Sequence, residues 1–100
     1  IAGAIIYAKT TGAVVKDIAT EAEAKWIGEN SVLYSQTKCS HCIEQKRLFG
    51  DNLKYLNIIE ENQIQKFIDA GITVTPTWII NGKKFEGVQT IKKLKESTGC

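Results

Sequence analysis

Runs of apolar residues at helical and strand spacing divide most of this chain into short elements. Thr20-Glu21-Ala22-Glu23 has the form of a capping box, in which threonine hydroxyl and glutamate carboxylate each satisfy a backbone N–H of the other. It predicts a short helix that stops near Gly28, with Ala22, Trp26 and Ile27 turned inward. Ser31 to Ser35 is a short apolar run without alternation, as expected of a strand buried on both faces. After the loop Gln36-Thr37-Lys38, a helix is predicted from Cys39 to about Phe49, taking its core contacts from Ile43, Leu48 and Phe49. Gly50-Asp51-Asn52 breaks it, and Leu56 to Glu60 reads as the next strand despite Asn57 inside it. Asn62-Gln63-Ile64-Gln65 caps a helix whose Ile64, Phe67 and Ile68 share one face at i, i+3, i+4, and Gly71 ends it. Thr77 to Ile80 and Lys83 to Glu86 flank Asn81-Gly82, a strong two-residue hairpin signal. A last helix over about Thr90 to Ser97 turns Ile91 and Leu94 inward, with Gly99 beyond its end.

Helix, strand, helix, strand, helix, strand, strand, helix is the order of one α/β domain over residues 20–100. The chain of 100 residues is long enough for a core that needs no metal or disulfide staples. A net charge of +2, with acids and bases interspersed and no basic block among aromatics, argues against a nucleic-acid partner. Ile1 to Ala8 is almost wholly apolar and then meets Lys9. A membrane-spanning helix needs roughly 20 such residues, so this run cannot span alone. In a chain without methionine it reads as the end of a span in a processed or excised form, with Tyr7 and Lys9 as interfacial anchors. Residues 9–19 then link it to the domain. The other reading, a buried N-terminal strand, suits an Ala/Gly-rich run less well.

Candidate chemistry centres on Cys39-Ser40-His41-Cys42. The first cysteine stands where a strand hands over to a helix, and unpaired N–H groups with the helix macrodipole favour an anion there. A thiolate is that anion, and it is the species that attacks disulfides. Lys38 and His41 add positive charge that favours the ionised Cys39, and Ser40 shapes the turn between the two thiols. Cys42, one turn into the helix, is the candidate resolving thiol. A purely structural bridge is the weaker reading, because so short a loop constrains little chain entropy. Structural zinc needs four ligands and only one cysteine pair is present; covalent haem needs histidine at position 43, which is isoleucine. No metal is therefore expected. Trp26 and Trp78 read as core, Lys92, Lys93 and Lys95 as a solvated helix face, and Cys100 as a leftover thiol.

These elements, with the Cys-x-x-Cys helix and the lone proline in Thr75-Pro76 just before the third core strand, resemble the thioredoxin superfamily. The resemblance implies a thioredoxin-like α/β fold, with a central mixed sheet of about four strands flanked by helices. It also implies a cis bond before Pro76, and Thr75 pairing by its backbone with an extended substrate. Tyr34 to Cys42, together with Thr75-Pro76-Thr77-Trp78, Asn81-Gly82 and Gly87-Val88-Gln89, is similar to the thioredoxin-like domain fused to bacterial and plant homologues of vitamin K epoxide reductase. That narrower likeness covers roughly residues 30–98 and implies an extracytoplasmic, membrane-tethered domain, monomeric in isolation. Such a domain takes electrons from protein thiols and passes them to the membrane domain, which reduces a quinone; the domain itself holds no cofactor. Ser40 stands where many relatives have proline, which loosens the turn and leaves the redox potential open, and Lys38 stands where thioredoxin has tryptophan, which argues against a cytosolic thioredoxin role. Two other functions remain: a glutaredoxin-like, glutathione-dependent reductase, and a redox-inert module that binds peptides at Thr75-Pro76.

Overall fold

A computed structural model describes residues 18–100. The apolar start at Ile1 to Ala8 and most of the linker lie outside the described residues, and no described helix is long and apolar enough to cross a membrane. Ala19, assigned by its sequence to the linker, is buried: its N–H donates to Leu48 O at 2.7 Å and its carbonyl accepts from Asn52 Nδ2 at 3.2 Å.

Helix α1 (Glu21–Glu29) opens on the capping box that its sequence signals. Glu23 N–H donates to Thr20 Oγ1 at 3.2 Å, and Thr20 N–H donates to Glu23 Oε1 at 2.9 Å. The inward residues are Ala24 and Ile27, not Ala22. At 3.6 residues per turn Ala22 lies about 140° around the helix from Ile27, and Ala24 only about 60°. Trp26 is 38% exposed rather than core, and its Nε1 donates to Thr98 Oγ1 at 3.1 Å.

Strand β1 (Val32–Tyr34) leads through a loop into helix α2 (Ser40–Arg47). This helix stops two residues short of Phe49, and Ile43 is 45% exposed instead of core. The chain then forms a 3-10 segment over Gly50–Tyr55, which leaves only Ile58–Ile59 as strand β2. Leu53, Tyr55 and Leu56 pack against the core from the 3-10 segment and its end, so their apolar character serves helical packing, not a longer strand. Helix α3 (Ile64–Ala70) has no side-chain cap at Gln63 and buries only Phe67, while Ile64 and Ile68 are 60% and 63% exposed. Phe67 meets Tyr34 edge-on, with ring centroids 5.3 Å apart.

Strands β3 (Thr77–Ile80) and β4 (Lys83–Glu86) form the expected hairpin, with positive φ at both Asn81 (53°) and Gly82 (78°), as the tight turn requires. Helix α4 (Ile91–Thr98) is capped by Thr90, whose Oγ1 accepts from Lys93 N–H at 3.0 Å. The four strands run β2-β1-β3-β4; β1 and β2 are parallel and the other two pairings antiparallel. Leu33 and Tyr34 are consecutive, so they point to opposite faces, and both are buried. On one face Leu33, Trp78 and Ile80 meet Ala24, Ile27, Phe49, Ile91 and Leu94; on the other Tyr34 and Ile59 meet Phe67. Helices therefore cover both sides of the mixed sheet, in line with the expected fold class.

At Gly28, α1 packs directly against the end of the 3-10 segment. A Cβ there would stand 2.0 Å from Tyr55 O and 2.9 Å from Tyr55 C, both backbone atoms that cannot swing aside. Gly28→Ala is expected to lower the stability to urea by about 3 kcal/mol, the upper end for an overpacked core site, or to prevent folding. An unchanged midpoint would show that the two segments separate easily.

Candidate functional site: the Cys39–Cys42 disulfide and the Thr75-Pro76 loop

Cys39 occupies the N-cap position of α2, with extended backbone (φ −138°, ψ 110°), and Cys42 lies in the first turn. The two sulfurs are joined in a disulfide, with the Cα atoms 5.1 Å apart. Cys42 N–H donates to Cys39 Sγ at 3.2 Å, placing a helix N-terminal donor on the sulfur where negative charge would develop. The pair is asymmetric: Cys39 is half-buried, whereas Cys42 is 1% exposed. An incoming thiolate therefore meets Cys39 first.

The loop that delivers Cys39 is held from outside. Thr37 N–H donates to both oxygens of Glu61 at 3.2 Å, and the Thr37 hydroxyl also donates to that carboxylate. These bonds, the hydroxyl one foremost, hold the Glu61 carboxyl below its ordinary range. Ser40 is exposed as the first residue of α2, and Lys38 is exposed just before the cysteine. His41 is exposed too; its Nδ1 lies 3.5 Å from Glu44 Oε1, so a neighbouring carboxylate offsets the charge that the imidazole could lend.

Across from Cys39 lies the loop before β3. The Thr75–Pro76 peptide bond is cis and Pro76 is buried. Pro76 O accepts from Gly87 N–H at 2.8 Å, tying the loop to the end of β4. Proline has no N–H to give, so it can begin a strand without leaving a ladder donor unused. Thr75 O stands 3.6 Å from Cys39 Sγ, and Thr75 Oγ1 is 3.5 Å from the same sulfur and 2.8 Å from Gln36 Oε1. The fold thus brings together Cys39, Cys42, Thr75 and Pro76, while Lys38, Ser40 and His41 form an exposed rim.

Two glutamines escaped the sequence reading. Gln36 contacts Thr75 as just described. Gln45 is fully buried in α2: its Oε1 accepts from Trp78 Nε1 at 2.9 Å and from Gln89 N–H at 2.6 Å, and its Nε2 donates to Gln89 O at 3.0 Å. One amide thereby fastens the cysteine helix to β3 and to the segment after β4. The available signal was spacing: Cys42, Gln45 and Phe49 fall at i, i+3, i+7, the face actually buried. Beside the disulfide a groove of about 240 Å³ is walled by Gln36, Thr75, Val74, Phe67, Ile64 and Ile68, among others. Among the described residues no cluster of histidine, cysteine and carboxylate side chains could hold a metal ion.

A cysteine pair opening a helix opposite a cis-proline loop, on a four-stranded mixed sheet covered on both faces, defines a thioredoxin-like domain with a disulfide at the start of its second helix. The chain belongs to the thioredoxin family, whose profile matches residues 10–97. It is 38% identical, over an alignment 77 residues long that covers 67% of this chain, to the thiol-disulfide oxidoreductase LTO1 of Arabidopsis thaliana, and spans about a fifth (20%) of that protein. The solution structure of oxidised thioredoxin from Plasmodium falciparum aligns with 81% of this chain and 90% of its own, with a TM-score of 0.46 and 14% identity.

Proposed function

We propose that this domain oxidises protein dithiols outside the cytoplasm through Cys39 and Cys42, and passes the electrons to a quinone-reducing membrane domain resembling vitamin K epoxide reductase. The observation that carries the redox part is the asymmetric disulfide: one reachable sulfur at a helix N-terminus, one buried behind it. A substrate thiolate attacks Cys39 Sγ, a mixed disulfide forms, and Cys42 leaves as a thiolate that takes up a proton. The second substrate thiolate then attacks the substrate sulfur of the mixed disulfide and releases Cys39 as a thiolate. The substrate has gained a disulfide, and the domain holds two electrons as two thiols. The N–H of Cys42 and the positive end of α2 stabilise the departing Cys39 charge, so the reduced form is favoured and the disulfide is a good oxidant. Exposed Lys38 adds to that bias from the rim, whereas Glu44 offsets the charge of His41.

The membrane partner rests on the motif likeness over Tyr34 to Cys42 and Thr75 to Gln89, and on a curated relative far longer than this chain. Oxidising chemistry of this kind persists in extracytoplasmic compartments. The reduction potential tests the direction of flow. Equilibration with glutathione is expected to place Cys39–Cys42 well above the thioredoxin value of about −270 mV, and a value below it would assign the domain to reduction.

The groove beside Cys39 fits the apolar side chains of a substrate still unfolded around its cysteine. Ile64, Ile68 and Val74 are 60%, 63% and 46% exposed there, which supports this reading. Ile68→Asp is expected to slow oxidation of a reduced, unfolded protein about tenfold, and to leave the rate with a small dithiol unchanged. Equal slowing of both would locate the effect in the disulfide, not in docking.

A further inference from the structure

We propose that Gln36 is a positioning residue that sets the acidity of Cys39 by competing for the one hydroxyl proton of Thr75. The proposal rests on the reading of Cys39–Cys42 as an exchanging pair. Thr75 Oγ1 has two acceptors within reach, Gln36 Oε1 at 2.8 Å and Cys39 Sγ at 3.5 Å. A hydroxyl carries a single proton, so it serves one of them at a time. In the disulfide, sulfur is a weak acceptor and the amide oxygen wins. After reduction the ionised sulfur becomes a charged acceptor, and bonds to ionised groups are roughly twice as strong as neutral ones. The proton can change partners by rotation about the Thr75 Cβ–Oγ1 bond alone, since both acceptors already surround the same oxygen. Gln36 is exposed, and water can take over the amide oxygen that is released.

The exchange has a direction. In the oxidised state the Thr75–Gln36 bond is made; in the thiolate state it is given up. Gln36 therefore favours the disulfide over the thiolate and keeps Cys39 less acidic than the helix N-terminus and Thr75 alone would make it. The opposite amide orientation has the opposite consequence. With Nε2 turned to Thr75, the glutamine would donate to Oγ1 and leave the hydroxyl proton aimed at sulfur in both states. The sign of the mutational effect separates the two.

The comparison uses wild type, Gln36→Leu, Thr75→Val and the double variant, each reduced and titrated by thiolate absorbance and by the rate of iodoacetamide alkylation. Gln36→Leu is expected to lower the Cys39 pKa by about half to one unit, which is what one net hydrogen bond is worth. At pH below the transition this means about three- to tenfold more thiolate, with the glutathione equilibrium moving toward the reduced form. In the Thr75→Val background the same change is expected to do nothing. The charged neighbours Lys38, His41, Glu44, Lys46, Glu60 and Glu61 are present in all four proteins and cancel from the comparison. An unchanged or raised pKa in Gln36→Leu, or an equal drop in the valine background, overturns the proposal while leaving the oxidoreductase reading intact. Failure of all four proteins to exchange disulfides overturns that reading as well. Position 36 lies on an exposed loop and position 75 keeps its shape as valine, and thermal unfolding of each variant verifies the fold.

Discussion

Cys39→Ser is expected to abolish disulfide exchange, with a loss of at least about a thousandfold against any protein dithiol. Only sulfur can be attacked as part of a disulfide or return as a leaving thiolate, and a serine hydroxyl at the same N-cap does neither. The partner substitution behaves differently. In Cys42→Ser the reachable Cys39 keeps its place at the start of α2 and can still form mixed disulfides, but no buried thiol stands behind it to release them. That variant is expected to accumulate adducts with substrates, visible as mass shifts removed by dithiothreitol. Stability separates this chemistry from a structural bridge. A disulfide closing a two-residue loop constrains little of the unfolded chain. Cys39→Ser is therefore expected to unfold close to the wild-type midpoint; exchange retained, with a sharply lower midpoint, would make the disulfide a staple.

Gln45→Leu is expected to destabilise the domain by about 2–4 kcal/mol, an effect comparable to that of Gly28→Ala. Leucine is of comparable volume, so loss of packing is the minor part. The major part is what the amide leaves behind. Trp78 is fully buried, and its Nε1–H loses its acceptor. Gln89 loses partners for both its N–H and its carbonyl. An unpaired buried polar group costs about 1–3 kcal/mol; half-buried Gln89 can recover some of that from water, but Trp78 cannot. Urea denaturation should show a lower midpoint with an unchanged slope. Below that midpoint the variant should still exchange disulfides, because Gln45 touches neither sulfur. A midpoint within error of wild type would mean that α2 is seated by its apolar contacts alone.

The elements were most legible where a local chemical device marks them. The capping box at Thr20 and Glu23, the Asn81-Gly82 turn and the hydroxyl cap at Thr90 each act within a few residues, so the sequence displays both partners together. The strand expected from Leu56 is shorter than expected because apolar residues there serve a 3-10 segment, and nothing local distinguishes the two uses. Ile43 reads as a core contact of its helix, and Ile64 and Ile68 share the face of Phe67 by their spacing, yet all three are exposed. The three isoleucines show that helical spacing can disclose a face without telling whether the fold covers it.

The site divides along the same line. Cys39 and Cys42 are three residues apart and on one turn of helix, so their partnership follows from local geometry that the chain carries with it. The sequence by itself determined the redox pair, the helix that begins on it and the hairpin behind it. Tertiary structure alone decided what faces the sulfur. Thr75 lies 36 residues from Cys39 and 39 from Gln36, and Gln45 reaches Gln89 across 44. Those meetings depend on β1 and β3 pairing antiparallel in one register, and a sheet register is set by long-range burial, which no short stretch of sequence encodes.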